Sequence, residues 1–267
     1  MVQISGEVKK FFKIKAFYIG YGIFALLLLL LSFQRLINES SGVYIEGRVS
    51  LEGFVTSALL TLFLACMMYL SVIIGVYLSG YEFQNNTYSL VFLYQGKIRQ
   101  HLYKTAAMLI INIIIIVMTI FLSSLLVALM RQNVDFSINI MTILKQSGIL
   151  LFVITTYSIF AYTLGFAIRK LYPAAIIGIL FYYLFGYIEK FLPYADKIMK
   201  YFFLPNSIML IYHEFKSFLT NDPSFSFSVS ANMLDISFSQ AMLVNIVNVL
   251  ILYGILFFMT LQREGDK

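Results

Sequence analysis

Thr105–Met130 reads TAAMLIINIIIIVMTIFLSSLLVALM, without a single Asp, Glu, Lys, Arg or His. A bilayer's hydrocarbon core is about 30 Å thick and takes about 20 apolar residues of helix to cross. A helix of a soluble protein is apolar along one stripe, and this run is apolar all round. The rest of the chain agrees with it. Of 267 residues, 60% are hydrophobic and only 12% charged, about half the share of a soluble domain. A soluble chain of this size could not hide so much apolar surface. Soluble enzymes, nucleic-acid binders and disordered chains are therefore excluded, and the net charge of +6 is read as loop charge facing an anionic membrane surface. No nucleic-acid partner is expected.

Five more runs free of ionisable residues flank this one, giving six in all: Ala16–Phe33, Phe54–Leu78, Thr105–Met130, Gln146–Ile168, Ala174–Ile188 and Ser239–Leu261. The fifth is the shortest and follows Pro173, a natural first-turn residue. The first is longer than a secretory core and has no small-residue cleavage site in Leu36–Gly42, so it is read as a retained span. The expected fold is an all-α integral membrane protein with six transmembrane helices, in one domain over 1–267. Cys66 is the lone cysteine, so no internal disulfide can form; it reads as a buried small hydrophobe.

Six spans put both termini on one side. With the N-terminus inside, the cytoplasmic segments carry Lys9, Lys10, Lys13, Lys15, Lys97, Arg99, Lys104, Arg169, Lys170, Arg263 and Lys267, which is 11 of the 19 Lys and Arg. Nine of the 13 acidic residues fall outside. Both termini are therefore expected to be cytoplasmic. Residues 1–15 place Ile4, Val8, Phe11 and Phe12 on one helical face with lysines mostly off it, which reads as an N-terminal amphipathic interfacial helix.

Ser71, Gly75 and Ser79 form a small-residue stripe at helix-packing spacing, as do Ala161 with Gly165 and Ala174 with Gly178. Such stripes let backbones approach closely, either within the bundle or between subunits. Asn112, Asn245 and Asn248 are placed to bond between helices. Tyr69, Tyr77, Tyr157, Tyr162, Tyr182 and Tyr183 lie in the runs. They either pack helices or line a lateral groove for an amphipathic peptide or lipid, and Tyr69, Tyr77, Tyr157 and Tyr162 form the candidate substrate path.

Several chemistries lack their residues. Uncharged spans argue against proton or sodium coupling. His101 and His213, the two histidines, fall on opposite sides of the proposed membrane, so no metal site is expected. There is no nucleophile elbow, and Gly96–Lys97 lacks the rest of a phosphate-binding loop. The chain is not expected to be an enzyme by itself, nor to hydrolyse ATP alone.

The segment between runs two and three, GYEFQNNTYSLVFLYQGKIRQHLYK over Gly80–Lys104, spaces Thr87, Leu90, Val91 and Tyr94 as a short amphipathic helix on the inner surface. Glu82 precedes it, Gly96 breaks it, and Arg99 and Lys104 lead into the next run. With Asn86 standing where glycine is usual, this order of acid, Thr, leucine-rich turn, Gly, Arg and Lys resembles the first cytoplasmic loop of the ATP-binding-cassette (ABC) type-two permease family of bacterial exporters. The layout of the whole chain fits that resemblance, and Tyr201–Pro205 fits it loosely.

The resemblance implies a multi-pass subunit in a bacterial plasma membrane. It would pair with a second permease chain, identical or related, and with two copies of a separate ABC ATPase subunit. ATP and Mg would bind on that ATPase, and no cofactor on this chain. Coupling to the ATPase would run through a cytoplasmic coupling helix. Glu82 and Thr87 would frame its start, Leu90, Val91 and Tyr94 its apolar face, and Arg99 and Lys104 would anchor its exit to phosphates or acidic partner groups. The other reading is an ordinary interfacial loop with snorkelling basic residues. Residues 189–238 are expected as an extracellular loop, with Phe225, Phe227, Val229 and Ala231 in an extended stretch and Asn206 and Asp235 available for polar contacts. It is either an exit gate or an exposed lid. The expected cargo is a hydrophobic or amphipathic antimicrobial peptide. The rival readings are an unrecognised membrane enzyme, and a membrane scaffold or immunity protein that sequesters a toxin without transport.

Overall fold

The computed structural model describes residues 2–13, 15–37, 44–45, 48–65, 69–84, 97–129, 134–191, 200–221 and 235–262. Nine helices occur among them: α1 Val2–Phe11, α2 Lys15–Ile37, α3 Leu51–Ala65, α4 Ser71–Gln84, α5 Lys97–Leu129, α6 Ile140–Ile168, α7 Leu171–Phe191, α8 Phe203–Asn221 and α9 Phe238–Gln262. Among the described residues three stretches are long and apolar enough to cross a bilayer by length and composition: Arg99–Leu129, Ile140–Ile168 and Phe238–Gln262. This is a helical protein of multi-pass membrane character. The other apolar runs fall on α2, on α3 and α4, and on α7. Cys66 lies outside the described residues.

Helix α6 is the hub. Asn139 caps its start, its Oδ1 accepting from the Met141 N–H at 3.1 Å and the Thr142 N–H at 3.4 Å, as short polar side chains do for orphan helix donors. Its end is closed by Arg169 in the left-handed conformation, φ 60°, whose N–H donates to the Gly165 carbonyl. A Cβ penalises that conformation, which glycine usually fills.

Close packing of α4 on α6 follows from the small-residue stripes. A Cβ added to Gly75 would sit 2.2 Å from the Ser158 carbonyl oxygen and 2.7 Å from the Ala161 Cβ; one added to Gly165 would sit 2.0 Å from Ser79 Oγ. The two backbones are in van der Waals contact, a distance that larger side chains forbid. Helix α7 packs on α4 in the same manner, with Gly178 against Val72. These stripes serve contacts within the chain, the first of the two readings above.

Three expectations are revised. The N-terminal helix does not keep its apolar face for lipid. Phe11 is fully buried, with its ring 4.9 Å from Phe17 and 6.4 Å from Tyr77, so α1 is seated on protein while Lys9 and Lys13 stay exposed. Its amphipathicity is the same in either setting, so the pattern alone could not choose. The third run begins earlier than Thr105. Helix α5 starts at Lys97 and its 33 residues reach about 50 Å, well past a bilayer core, so Arg99, His101 and Lys104 lie on its first turns rather than in a loop. The segment 189–238 is not all loop. Helix α8 runs through it, burying Leu204, Ile211, Phe215 and Phe218 at helical spacing against α9 and α6. Pro205 falls in its first turn, where the missing N–H costs nothing. Phe225, Phe227, Val229 and Ala231 lie outside the described residues.

At the end of the bundle where α3 and α6 begin, short strands tie two connections together. β1 (Tyr44–Ile45) pairs antiparallel with β2 (Arg48–Ser50), and β2 pairs parallel with β3 (Val134–Asp135). Glu52 Oε2 reinforces the tie by accepting from the Asn139 N–H at 2.9 Å.

Candidate functional site

At the opposite end, α4, α6 and α9 finish where α5 begins. The ends meet in a buried polar junction. Gln100 and Lys104 are four residues apart, so they share a face of α5, and that face meets the last turn of α4. Glu82 and Lys104 form an ion pair of 2.9 Å with both side chains 3% exposed. Gln100 Nε2 donates to Glu82 Oε2 at 2.5 Å, and Lys104 Nζ also donates to the Leu78 carbonyl. Glu82 Oε1 and Gln100 Oε1 have no hydrogen-bond partner among the described residues. A buried pair of this kind contributes little net stability over an apolar replacement, but leaving either member alone is strongly destabilising.

The neighbouring face of α5 carries His101 and Thr105. His101 Nδ1 lies 2.7 Å from the Tyr162 hydroxyl of α6, and Nε2 lies 3.1 Å from Thr260 Oγ1 of α9. Thr105 Oγ1 is hydrogen-bonded to the Tyr253 hydroxyl, again reaching α9. The His101 ring meets Tyr162 and Phe166 edge to face. Helix α1 closes the junction from outside. Burial would lower the Lys10 pKa, but its hydrogen bond and ion pair with Glu7 at 2.8 Å, with the fields of Glu82 and Tyr81, outweigh that and hold it above the ordinary lysine value.

The residues singled out from sequence divide as follows. Glu82 and Lys104 come together, although they were assigned separate roles at entry and exit. Lys104 is engaged inside the chain and does not reach outward to phosphates or a partner's acids. Arg99 is exposed on the first turn of α5 and keeps its outward reach. Thr87, Leu90, Val91 and Tyr94 lie outside the described residues. Ser71, Gly75 and Ser79 lie on the α4 face described above. Tyr77 packs beside Phe11 and Tyr81, Tyr157 packs beside Phe203, Tyr162 serves His101, and Tyr69 is half-exposed. Three of the four proposed substrate-path tyrosines are thus engaged in packing or hydrogen bonds. Tyr182 and Tyr183 have side chains outside the described residues.

The span asparagines bond between elements. Asn112 Nδ2 donates to Thr155 Oγ1 at 3.1 Å, Asn245 Oδ1 accepts from Ser207 Oγ at 2.8 Å, and Asn248 Nδ2 donates to the Tyr201 carbonyl at 3.2 Å. Asn206 is used locally, donating to the Lys200 and Phe202 carbonyls ahead of α8. Asp235 is exposed in a turn.

Gln100 and Thr260 were missed, and His101 was weighed only as a metal ligand. The signal for Gln100 and His101 was present in the pairs Gln100/Lys104 and His101/Thr105 at i, i+4, but it becomes legible only once α5 is known to start at Lys97. Among the described residues no three of His, Cys, Asp and Glu gather as a metal site. Comparison with family models, with curated proteins and with solved structures returns no match to this chain. The junction is therefore read on its own chemistry. It is a buried knot where four helices end, with the Glu82 carboxylate compensated by Lys104 and hydroxyls gathered around the His101 ring.

Proposed function

We propose that this chain is the transmembrane permease subunit of an ATP-driven ABC exporter in a bacterial plasma membrane, moving hydrophobic or amphipathic peptides. It would cross the membrane six times with both termini in the cytoplasm, and would pair with a second permease chain and a separate ATPase. The observation that carries this reading is the Glu82–Lys104 ion pair. It clamps the two helices that bound residues 85–96, the segment that resembles a coupling helix. Force applied to that segment would reach α4 and α5 together, and α6 through the Gly75 contact. A clamped lever of this kind can pass a nucleotide-driven rotation into a bundle. The parallel pairing of β2 with β3 supports the topology, because it keeps the connections before α3 and after α5 at one end of the bundle.

The test is copurification. A tagged chain drawn from native membranes should bring down a P-loop ATPase encoded beside it. Arg99→Glu should lower substrate-stimulated ATPase activity at least tenfold while the complex still assembles. Lys104→Met, which leaves Glu82 buried without its partner, should cost about 3–5 kcal/mol of stability, and Glu82→Gln with Lys104→Met should recover most of that. Toxin protection that persists with a hydrolysis-dead ATPase would instead identify a sequestering immunity protein.

A further inference from the structure

The polar atoms of Glu82, Gln100 and Lys104 can be counted as donors and acceptors. A carboxylate and an amide oxygen only accept, while a lysine ammonium carries three hydrogens and a glutamine amide nitrogen two. Glu82 Oε2 takes one hydrogen from Lys104 Nζ at 2.9 Å and one from Gln100 Nε2 at 2.5 Å. Lys104 spends a second hydrogen on the Leu78 carbonyl. Glu82 Oε1 and Gln100 Oε1 then remain open among the described residues. So do one hydrogen of Lys104 Nζ and one of Gln100 Nε2. Turning the Gln100 amide round does not close the count, because its oxygen would then face Glu82 Oε2.

These open groups are buried and close together. The Glu82 and Lys104 side chains are 3% exposed and Gln100 is 2% exposed, and α1 packs across α4 and α5. A buried acceptor left unmet costs the whole of its lost hydration. Glu82 and Gln100 are bonded to each other, which keeps their second oxygens neighbours. A group that satisfies both must donate two hydrogens, and beside Lys104 it must also accept. A cation cannot accept, and it would meet the ammonium that already balances the Glu82 charge. An anion would meet two oxygens. Water alone among small molecules of the cell donates two hydrogens and accepts without carrying charge, and buried waters typically hold about three such contacts.

We propose that Glu82 Oε1 and Gln100 Oε1 bind one water molecule, which donates to both, accepts from Lys104 Nζ and bridges α4 to α5. The clamp between these helices is then a closed ring of ion pair, amide and water rather than a single contact. A bridging water is nearly as favourable as a direct hydrogen bond, and it shifts without a change of rotamer. Small displacements of α4 against α5 at this end of the bundle therefore leave both oxygens paired.

The whole chain provides the test, with no ATPase present, so that its outcome is independent of the exporter reading. Crystals grown from a lipid mesophase, at a resolution that shows ordered waters, should carry one density peak about 2.8 Å from both Glu82 Oε1 and Gln100 Oε1. Crystals grown in rubidium chloride should show no anomalous signal at that peak. An anomalous peak would replace the water with a cation and overturn the proposal. So would bare contact between the two oxygens, or a donor from residues 85–96 seated on them. In Gln100→Met, which removes one acceptor and leaves the Glu82–Lys104 pair, the peak should vanish; a peak that stays would refute the bridge. Nuclear magnetic resonance of the unaltered chain in lipid nanodiscs gives a second measurement. Cross-peaks from water to the Gln100 side-chain amide hydrogens should have opposite signs in laboratory-frame and rotating-frame Overhauser spectra, the mark of a held water rather than of hydrogen exchange. The amide of Asn245, equally buried and bonded to Ser207 and the Ala241 carbonyl, should show none. Equal behaviour of the two amides would also sink the proposal.

Discussion

Helices α6 and α9 are both long, apolar and free of carboxylates, yet 72% of the apolar window of α6 is buried and only 17% of that of α9. Hydropathy cannot account for this. Small and polar residues can. Helix α6 turns Thr155, Ser158, Ala161, Tyr162, Thr163 and Gly165 inward, so neighbouring backbones approach it closely and its hydroxyls find carbonyls one turn back, as Ser158 Oγ does at Ile154. Helix α9 turns Leu243, Ile246, Leu250, Phe257 and Phe258 outward and holds its place with a few side-chain bonds, Asn245 to Ser207 and Thr260 to His101 among them. In a membrane, lipid is as apolar as leucine, so large apolar residues drive no helix to the centre; close backbone fit and polar pairing do.

One substitution made in both settings tests the contrast most sharply. Gly75→Val forces a branched side chain into backbone atoms of α6 and should cost about 3 kcal/mol, read as loss of stability in mixed-micelle unfolding. Gly254→Val on α9, where nothing lies within 4 Å of an added Cβ, should stay within about 0.5 kcal/mol. Equal costs would break the comparison. Next in size is Asn245→Leu, which strips the Ser207 bond from the weakly seated helix and should cost about 1 kcal/mol, with faster hydrogen exchange confined to α8 and α9. The smallest effect is a gain. Arg169→Gly at the left-handed end of α6 should stabilise by about 0.5 kcal/mol, read as a small rise in Tm.

The helical class and the places of α5, α6 and α9 were legible in the sequence because charge-free runs of that length admit few other structures. Helix α8 was not. His213, Glu214 and Lys216 break its hydropathy, while the stripe Leu204, Ile211, Phe215, Phe218 lay in a segment already read as loop. The small-residue stripes were legible as packing devices, though their partner was not, since Gly75 cannot name Ser158 across 83 residues of chain. The junction was half legible. Glu82 and Lys104 were singled out through a resemblance that assigned them separate roles, and their pairing needed the third dimension. His101 was weighed only as a metal ligand, because a lone histidine carries no spacing to interpret until its partners on α6 and α9 are in view.

The strand tie between Arg48–Ser50 and Val134–Asp135 also has a bearing on biogenesis. Parallel strands cannot zip from a local turn, and this ladder spans α3, α4 and α5. During synthesis the earlier segment must therefore wait, paired only with β1, until the ribosome has delivered the later one to the same end. The ladder can close only when the path through α3, α4 and α5 returns to the end of the bundle where it began.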